Sequence, residues 1–297
     1  MTSVVAIGGG HGLSRSLRAL GRLPVDATAI VTVADDGGSS GRLRRDLGVL
    51  PPGDLRRALS ATVPDPWVTE VLEYRFGGTE LRGHALGNLL LVALAELQGD
   101  LGRGLEVLRK LVGGRARVLP CTEHLIELAA DGPNGTVSGQ VAIATSSGHQ
   151  RLRLVPEDPP GHPEAIAAIV AADLIVLGPG SLFTSILPSI LVPDIHDALR
   201  TSSAPIVYVA NLREQPGETE GLTQKQHLDV LTDHLDERIV DVALFHEGPR
   251  PSGPGAVLGP LRGHPHVGRC VTYDILDGDD GHDPAALAAA LEQFLPP

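Results

Sequence analysis

Two lysines, two cysteines and one tryptophan are all that 297 residues hold of those types. Lys110 and Lys225 follow no glycine loop, so there is no Walker-type phosphate loop. Cys121 and Cys270 stand far apart and in no metal-ligand spacing, which excludes a disulfide framework and a thiolate zinc site and reads as two reduced structural thiols. The chain contains no His-Glu-x-x-His pair, no cysteine cluster and no nucleophile elbow. No apolar run reaches the ~20 residues of a membrane span, and the N-terminus has no basic region ahead of its short apolar run, so neither a membrane span nor a signal peptide is expected and the location expected is cytoplasmic. A net charge of −12 excludes a basic nucleic-acid groove. Aromatics make up 3% of the chain, so the core must be built from Leu, Val, Ile and Ala.

What remains is an ordinary globular composition, 42% hydrophobic and 20% charged, with apolar runs that break into glycine. Residues 4–8 read as a buried strand; Leu13, Leu17 and Leu20 then recur at helical spacing, with Gly21 as a stop. Residues 29–34 read as a second strand. Asp54 after Pro51-Pro52-Gly53 predicts an N-cap, residues 86–97 a helix buried all round, and residues 101–112 an amphipathic helix ending at Gly113-Gly114. Short alternating stretches predict a small antiparallel β insertion over about residues 115–158. Alternation resumes with a helix opening at Pro163 and strands near 173–181 and 204–211, and residues 248–268 are the most loop-like segment. Asp283-Pro284 caps a last helix with Leu287, Leu291 and Phe294 inward. Without repeats or a low-complexity linker, the expectation is one domain over 1–297. Its fold class is α/β, a Rossmann-like open, mostly parallel sheet with helices on both faces and the small β insertion.

Three loops carry the candidate chemistry. Gly9, Gly10, His11 and Gly12 follow the first strand and open a helix, an arrangement that suits a diphosphate. The loop lacks the third glycine of a dinucleotide fingerprint, since Leu13 or Arg15 stands there, which argues against a nicotinamide-dependent oxidoreductase. Asp35 and Asp36 end the second strand and either hold Mg²⁺ or bind a ribose hydroxyl, and Gly37, Gly38, Ser39 and Ser40 suit close backbone contact with a ligand. Arg42, Arg44 and Arg45 come just after. Gly178, Pro179, Gly180 and Ser181 form a third glycine turn. His84 and Asn88 precede or open the apolar helix, His84 either touching a ligand or capping the helix, and Asn211 supplies a polar group after a later strand. No general base or nucleophile stands out.

Taken together, GGGHGLS, VADDGGSSGRLR, LPPGD, GHALGNLL, LGPGSLFTSILPSIL and NLREQPGETEGLT resemble the successive signature segments of the YvcK/CofD family, from the first strand to about Thr223. The resemblance, closest to the YvcK type, implies a Rossmann-like fold, a cytoplasmic location, binding of a UDP-sugar such as UDP-N-acetylglucosamine, and a role in cell shape, peptidoglycan homeostasis and growth on gluconeogenic carbon sources. It implies a nucleotide-sugar ligand with no required cofactor beyond an optional Mg²⁺ at Asp35 and Asp36, and leaves a protein signalling partner and homo-oligomerisation open. The CofD branch instead transfers 2-phospholactate from a nucleotide diphosphate carrier to a deazaflavin precursor with Mg²⁺. The expectation here is a regulatory binder, with Gly9–Gly12 on the diphosphate, Asp35 and Asp36 on ribose or metal, and Gly178 to Ser181 with Asn211 as the far wall. Two departures stand out: His11 where the family commonly has Thr, and Gly281 where it often has Arg.

Overall fold

The computed structural model describes residues 1–133, 135–235, 240–278 and 281–296. Twelve strands are described: β1 (Thr2–Gly8), β2 (Val25–Val31), β3 (Arg117–Pro120), β4 (Glu127–Gly132), β5 (Gly135–Ser138), β6 (Arg151–Val155), β7 (Leu174–Leu177), β8 (Ile206–Val209), β9 (Val242–His246), β10 (Arg269–Tyr273), β11 (Leu276–Asp277) and β12 (Gly281–His282). The helices are α1 (Gly10–Leu20), α2 (Gly38–Leu47), α3 (Gly53–Thr62), α4 (Pro66–Glu73), α5 (Leu86–Gln98), α6 (Leu101–Val112), α7 (Gln140–Ala144), α8 (Pro163–Val170), α9 (Leu187–Ile190), α10 (Pro193–Thr201), α11 (Gln224–Leu235) and α12 (Pro284–Glu292). A π turn over Leu182–Ile186 runs directly into α9.

Seven strands form one parallel sheet in the order β10-β9-β8-β7-β1-β2-β3. The order reverses at β1, which pairs with β2 on one side and with β7 on the other. Right-handed crossovers on either side of such a reversal place helices on both faces, and α1, α3 and α12 pack together while α8, α9 and α10 form a second group. Strands covered on both faces read as continuous apolar runs. Val4, Val5, Ala6 and Ile7 accordingly expose no surface, and neither do Leu174 through Leu177. Among the described residues no single helix is long and apolar enough to cross a membrane.

Boundaries differ from the sequence expectation at the second strand and at the insertion: β2 spans Val25–Val31, so Asp35 and Asp36 lie in the loop beyond it and not at its end. Strand β3 belongs to the main sheet, pairing with β2, so the antiparallel excursion begins later, with β4 flanked by β5 and β6 over residues 127–155. Within it, residues that alternate like a strand form α7, because Gly139 takes a positive φ of 95° and turns the chain. Helix α5 also departs: it buries only Gly87, Asn88, Leu91 and Val92, leaving Leu90 and Leu97 exposed. An almost wholly apolar run predicts burial on every side, but no other described element covers its outer face.

Candidate functional site

The strand reversal between β1 and β7 opens a crevice at their carboxyl ends, the usual ligand position in an open α/β sheet. The first loop leaves β1 at Gly8 and enters α1 at Gly10. A methyl group at Gly12 would sit on the Pro179 carbonyl oxygen; the first and third loops touch at that point, and glycine there serves close packing of the two walls. Beneath the first loop lies Asp54. The LPPGD segment does not use it as an N-cap: α3 starts at Gly53 with Pro52 as cap, and Asp54 lies inside the first turn. A β-carbon at Gly9 would come within 2.7 Å of Asp54 Oδ2, while Asp54 Oδ1 accepts a 2.6 Å hydrogen bond from Arg57 Nη1. Burial pushes the Asp54 carboxyl up to about 6, helped by the Asp35 charge and opposed by Arg57 and the Gly10 amide. His11, at the mouth of α1, is pulled down first by partial burial and then by Arg57, which favours a neutral imidazole at pH 7.

The second loop separates its two aspartates. Asp35 Oδ1 accepts from the Gly37 amide at 2.9 Å, and its carboxylate faces the same recess as Asp54. Asp36 turns the other way, accepting from the Val141 amide of α7 at 3.0 Å. Ser39 is fixed by a buried network in which its Oγ lies 3.0 Å from His84 Nδ1 and accepts 2.9 Å from Asn88 Nδ2; burial lowers the His84 pKa. Asn88 Oδ1 is buried without a hydrogen-bond partner. Arg42 and Arg44 point to Arg82 O and Glu127, so they serve the loop's surroundings.

In the third loop Asn211 clamps Gly180 from both sides, accepting from its amide at 3.1 Å and donating to its carbonyl at 2.9 Å. The helix start behind Ser181 already holds a carboxyl group: Glu218, 3% exposed, accepts from the Phe183 and Thr184 amides at 2.8 and 3.0 Å. Its carboxyl is pushed up by burial and pulled back by those amides. Beside Gly281 stands the Arg15 guanidinium, so close that a β-carbon at 281 would lie 2.8 Å from its Nη2; Arg15 also pairs with Asp277 at 2.8 Å. The adjoining His282 is buried against Ala210 O at 3.0 Å and pushed down to about 4 by burial.

Around this junction the candidate residues fall into three recesses. Asp35, Gly37, Gly38, Ser39, Ser40 and Asn88 line one of about 300 Å³, together with Asp54, Arg56, Arg57 and Arg75. Gly12, Pro179, Gly180, Ser181 and Asn211 line a second of about 470 Å³. His11 and Gly12 line a third of about 600 Å³ with Arg15, Arg18, Arg57 and His282. Gly9, Gly10, Asp36, His84 and Gly178 line none of the three. Sequence reasoning missed Asp54, Arg57, Arg75, Arg15 and Glu218. The signal for Asp54 was there in LPPGD, but it read as a helix cap. Among the described residues no three His, Cys, Asp or Glu side chains cluster as a metal site.

These features define a Rossmann-like α/β protein with a polar, arginine-flanked crevice at its topological switch point. The chain belongs to the YvcK/CofD family: the family described as 2-phospho-L-lactate transferase CofD matches residues 4–254. It is 43% identical over 247 residues to the gluconeogenesis factor of Bacillus subtilis, covering 82% of this chain and 78% of that one. The gluconeogenesis factor of Listeria monocytogenes is 38% identical across 99% of this chain and 95% of its own. A crystal structure of a Bacillus halodurans protein superposes with a TM-score of 0.89 at 38% identity, covering 98% of this chain and 99% of that one.

Proposed function

We propose that the crevice binds a nucleotide sugar, a UDP-sugar such as UDP-N-acetylglucosamine, and that the protein reports its supply as a regulator of cell-wall homeostasis and of growth on gluconeogenic carbon sources. The observation that carries this reading is the junction at Gly12 and Pro179, where two glycine loops meet between a recess lined by Arg15, Arg18 and Arg57 and one lined by Arg213. Backbone amides and guanidinium groups suit a diphosphate. Similarity to gluconeogenesis factors supports the regulatory role.

The alternative is a 2-phospholactate-type transfer, favoured by one observation: Asp35 and Asp54 share a recess. Mg²⁺ is often bound by one or two carboxylates plus substrate phosphates, so Asp35 with Asp54 fits the ion better than Asp35 with Asp36, whose carboxylate is engaged by α7. When bound, the ion would offset charge on a transferred phosphoryl group.

Thermal unfolding with added nucleotides separates the two. A ligand at ~100 times its Kd adds about 2.7 kcal/mol, several degrees for a chain of this size. UDP-N-acetylglucosamine is expected to give that shift without turnover. A larger shift with GDP, or phospholactate transfer to a deazaflavin acceptor, would establish the enzymatic reading instead.

A further inference from the structure

Three arginines line the recess of about 600 Å³ beside the first glycine loop, and they are not equivalent. Arg57 is engaged by Asp54 at 2.6 Å. Arg18 is exposed and makes no hydrogen bond or ion pair among the described residues, so holding a ligand would cost it rotamer freedom. Arg15 is already fixed. Its side chain is 30% exposed, and Asp277 Oδ2 accepts from its Nη1 at 2.8 Å. The rest of the guanidinium lies against Gly281, where a β-carbon would meet Nη2 at 2.8 Å, Cζ at 3.1 Å and Nε at 3.4 Å.

We propose that Arg15, seated on Gly281, reads the second phosphate of the ligand and so sets a preference for diphosphates over monophosphates. The inference rests on the nucleotide-sugar reading above. Arg15 stands one turn on from His11 on the same face of α1, about 6 Å along the helix axis. A first phosphate against the amides at the mouth of α1 leaves Arg15 to a second one, and a monophosphate ends short of it. The guanidinium is suited to that task, because it carries five N–H donors and the Asp277 bond uses one. A fork held in place with its other donors free is preorganised for a phosphate.

Gly281 is then a positioning residue. It lies in β12, where extended backbone accepts any residue, so a side chain there meets the flexible end of Arg15 before anything else and lifts it off its seat. Glu73, the acidic residue in the wall of this recess among those described, faces Arg56 at 3.0 Å and leaves Arg15 to the ligand.

Isothermal titration calorimetry with UDP-N-acetylglucosamine and with UMP tests the assignment. The parent should bind the nucleotide sugar more than about tenfold more tightly than UMP. Arg15→Ala should weaken nucleotide-sugar binding by about 10–100-fold and UMP binding by less than about twofold. Its unfolding temperature should stay unchanged, since a partly exposed ion pair adds little stability. Gly281→Ala should reproduce the selective loss, and the Arg15→Ala/Gly281→Ala double variant should be no weaker than Arg15→Ala alone. Equal parent affinities, undiminished nucleotide-sugar binding in Arg15→Ala, an equal loss for UMP, or additive losses in the double variant would each overturn the proposal and leave the nucleotide-sugar reading standing. A parent that binds neither nucleotide would remove that reading and the proposal with it.

Discussion

Asp54 combines a buried carboxyl with two partners that stabilise its charge, Arg57 at 2.6 Å and the Gly10 amide. Burial outweighs both and moves the group from 3.8 to about 6. The folded protein therefore binds more protons than the unfolded chain between those values, so this group's contribution is most favourable below 3.8 and is lost as pH rises through 6. The rise corresponds to about 3 kcal/mol. Asp54→Asn should remove that part of the slope, so urea unfolding at intervals from pH 4 to 7 should show the parent losing roughly 3 kcal/mol relative to the variant. Parallel curves would mean that the carboxyl ionises alike in both states. The same residue shows where single-residue reading fails. A carboxylate two residues after a Pro-Pro turn is a good cap by local rules, but only the tertiary fold reveals that its oxygens reach under the Gly9 loop. Asp35 and Asp36 are likewise adjacent in sequence but bond to different segments, Gly37 and Val141.

Asp36 is one of the ties between the insertion and the crevice. Asp36 accepts the Val141 amide at the start of α7, a capping interaction worth ~1 kcal/mol. Asp36→Ala should therefore speed amide exchange in α7 several-fold while leaving β1 and β7 protected, as hydrogen-exchange mass spectrometry would show; uniform loss across the sheet would make Asp36 a residue of global stability. Elements with strong local cues were legible in the sequence. Helix α6 runs from an Asp100 cap to Gly113 in the left-handed conformation, and α12 starts where Asp283 accepts the Ala286 amide at 3.1 Å. Helix α5 was misjudged because composition cannot say which neighbours are present. Strand β3 was assigned to the insertion because its four residues acquire meaning only against Ala29, Ile30 and Val31, some 90 positions earlier. Local pattern does not carry pairing over that distance.

The whole fold was legible because its sheet is parallel and covered on both faces, which writes each central strand as an unbroken apolar run. Connectivity was less so, yet it has a consequence for biosynthesis. Val4 pairs with Ala27 on one side and with Leu174 on the other. At the usual ~5–20 residues per second, translation takes on the order of 10–30 s to pass from β2 to β7. Throughout that interval the β1 edge that will receive β7 remains open, and such an edge invites pairing with other chains. Nascent chains stalled near residue 160 should thus be protease-sensitive and retained by holdase chaperones, whereas chains stalled after β8 has left the ribosome should resist digestion. Early resistance would mean that β1 finds another cover. The first strand to be made waits for the middle of the chain, so the ribosome's pace over those residues decides how long the protein depends on its cellular escorts.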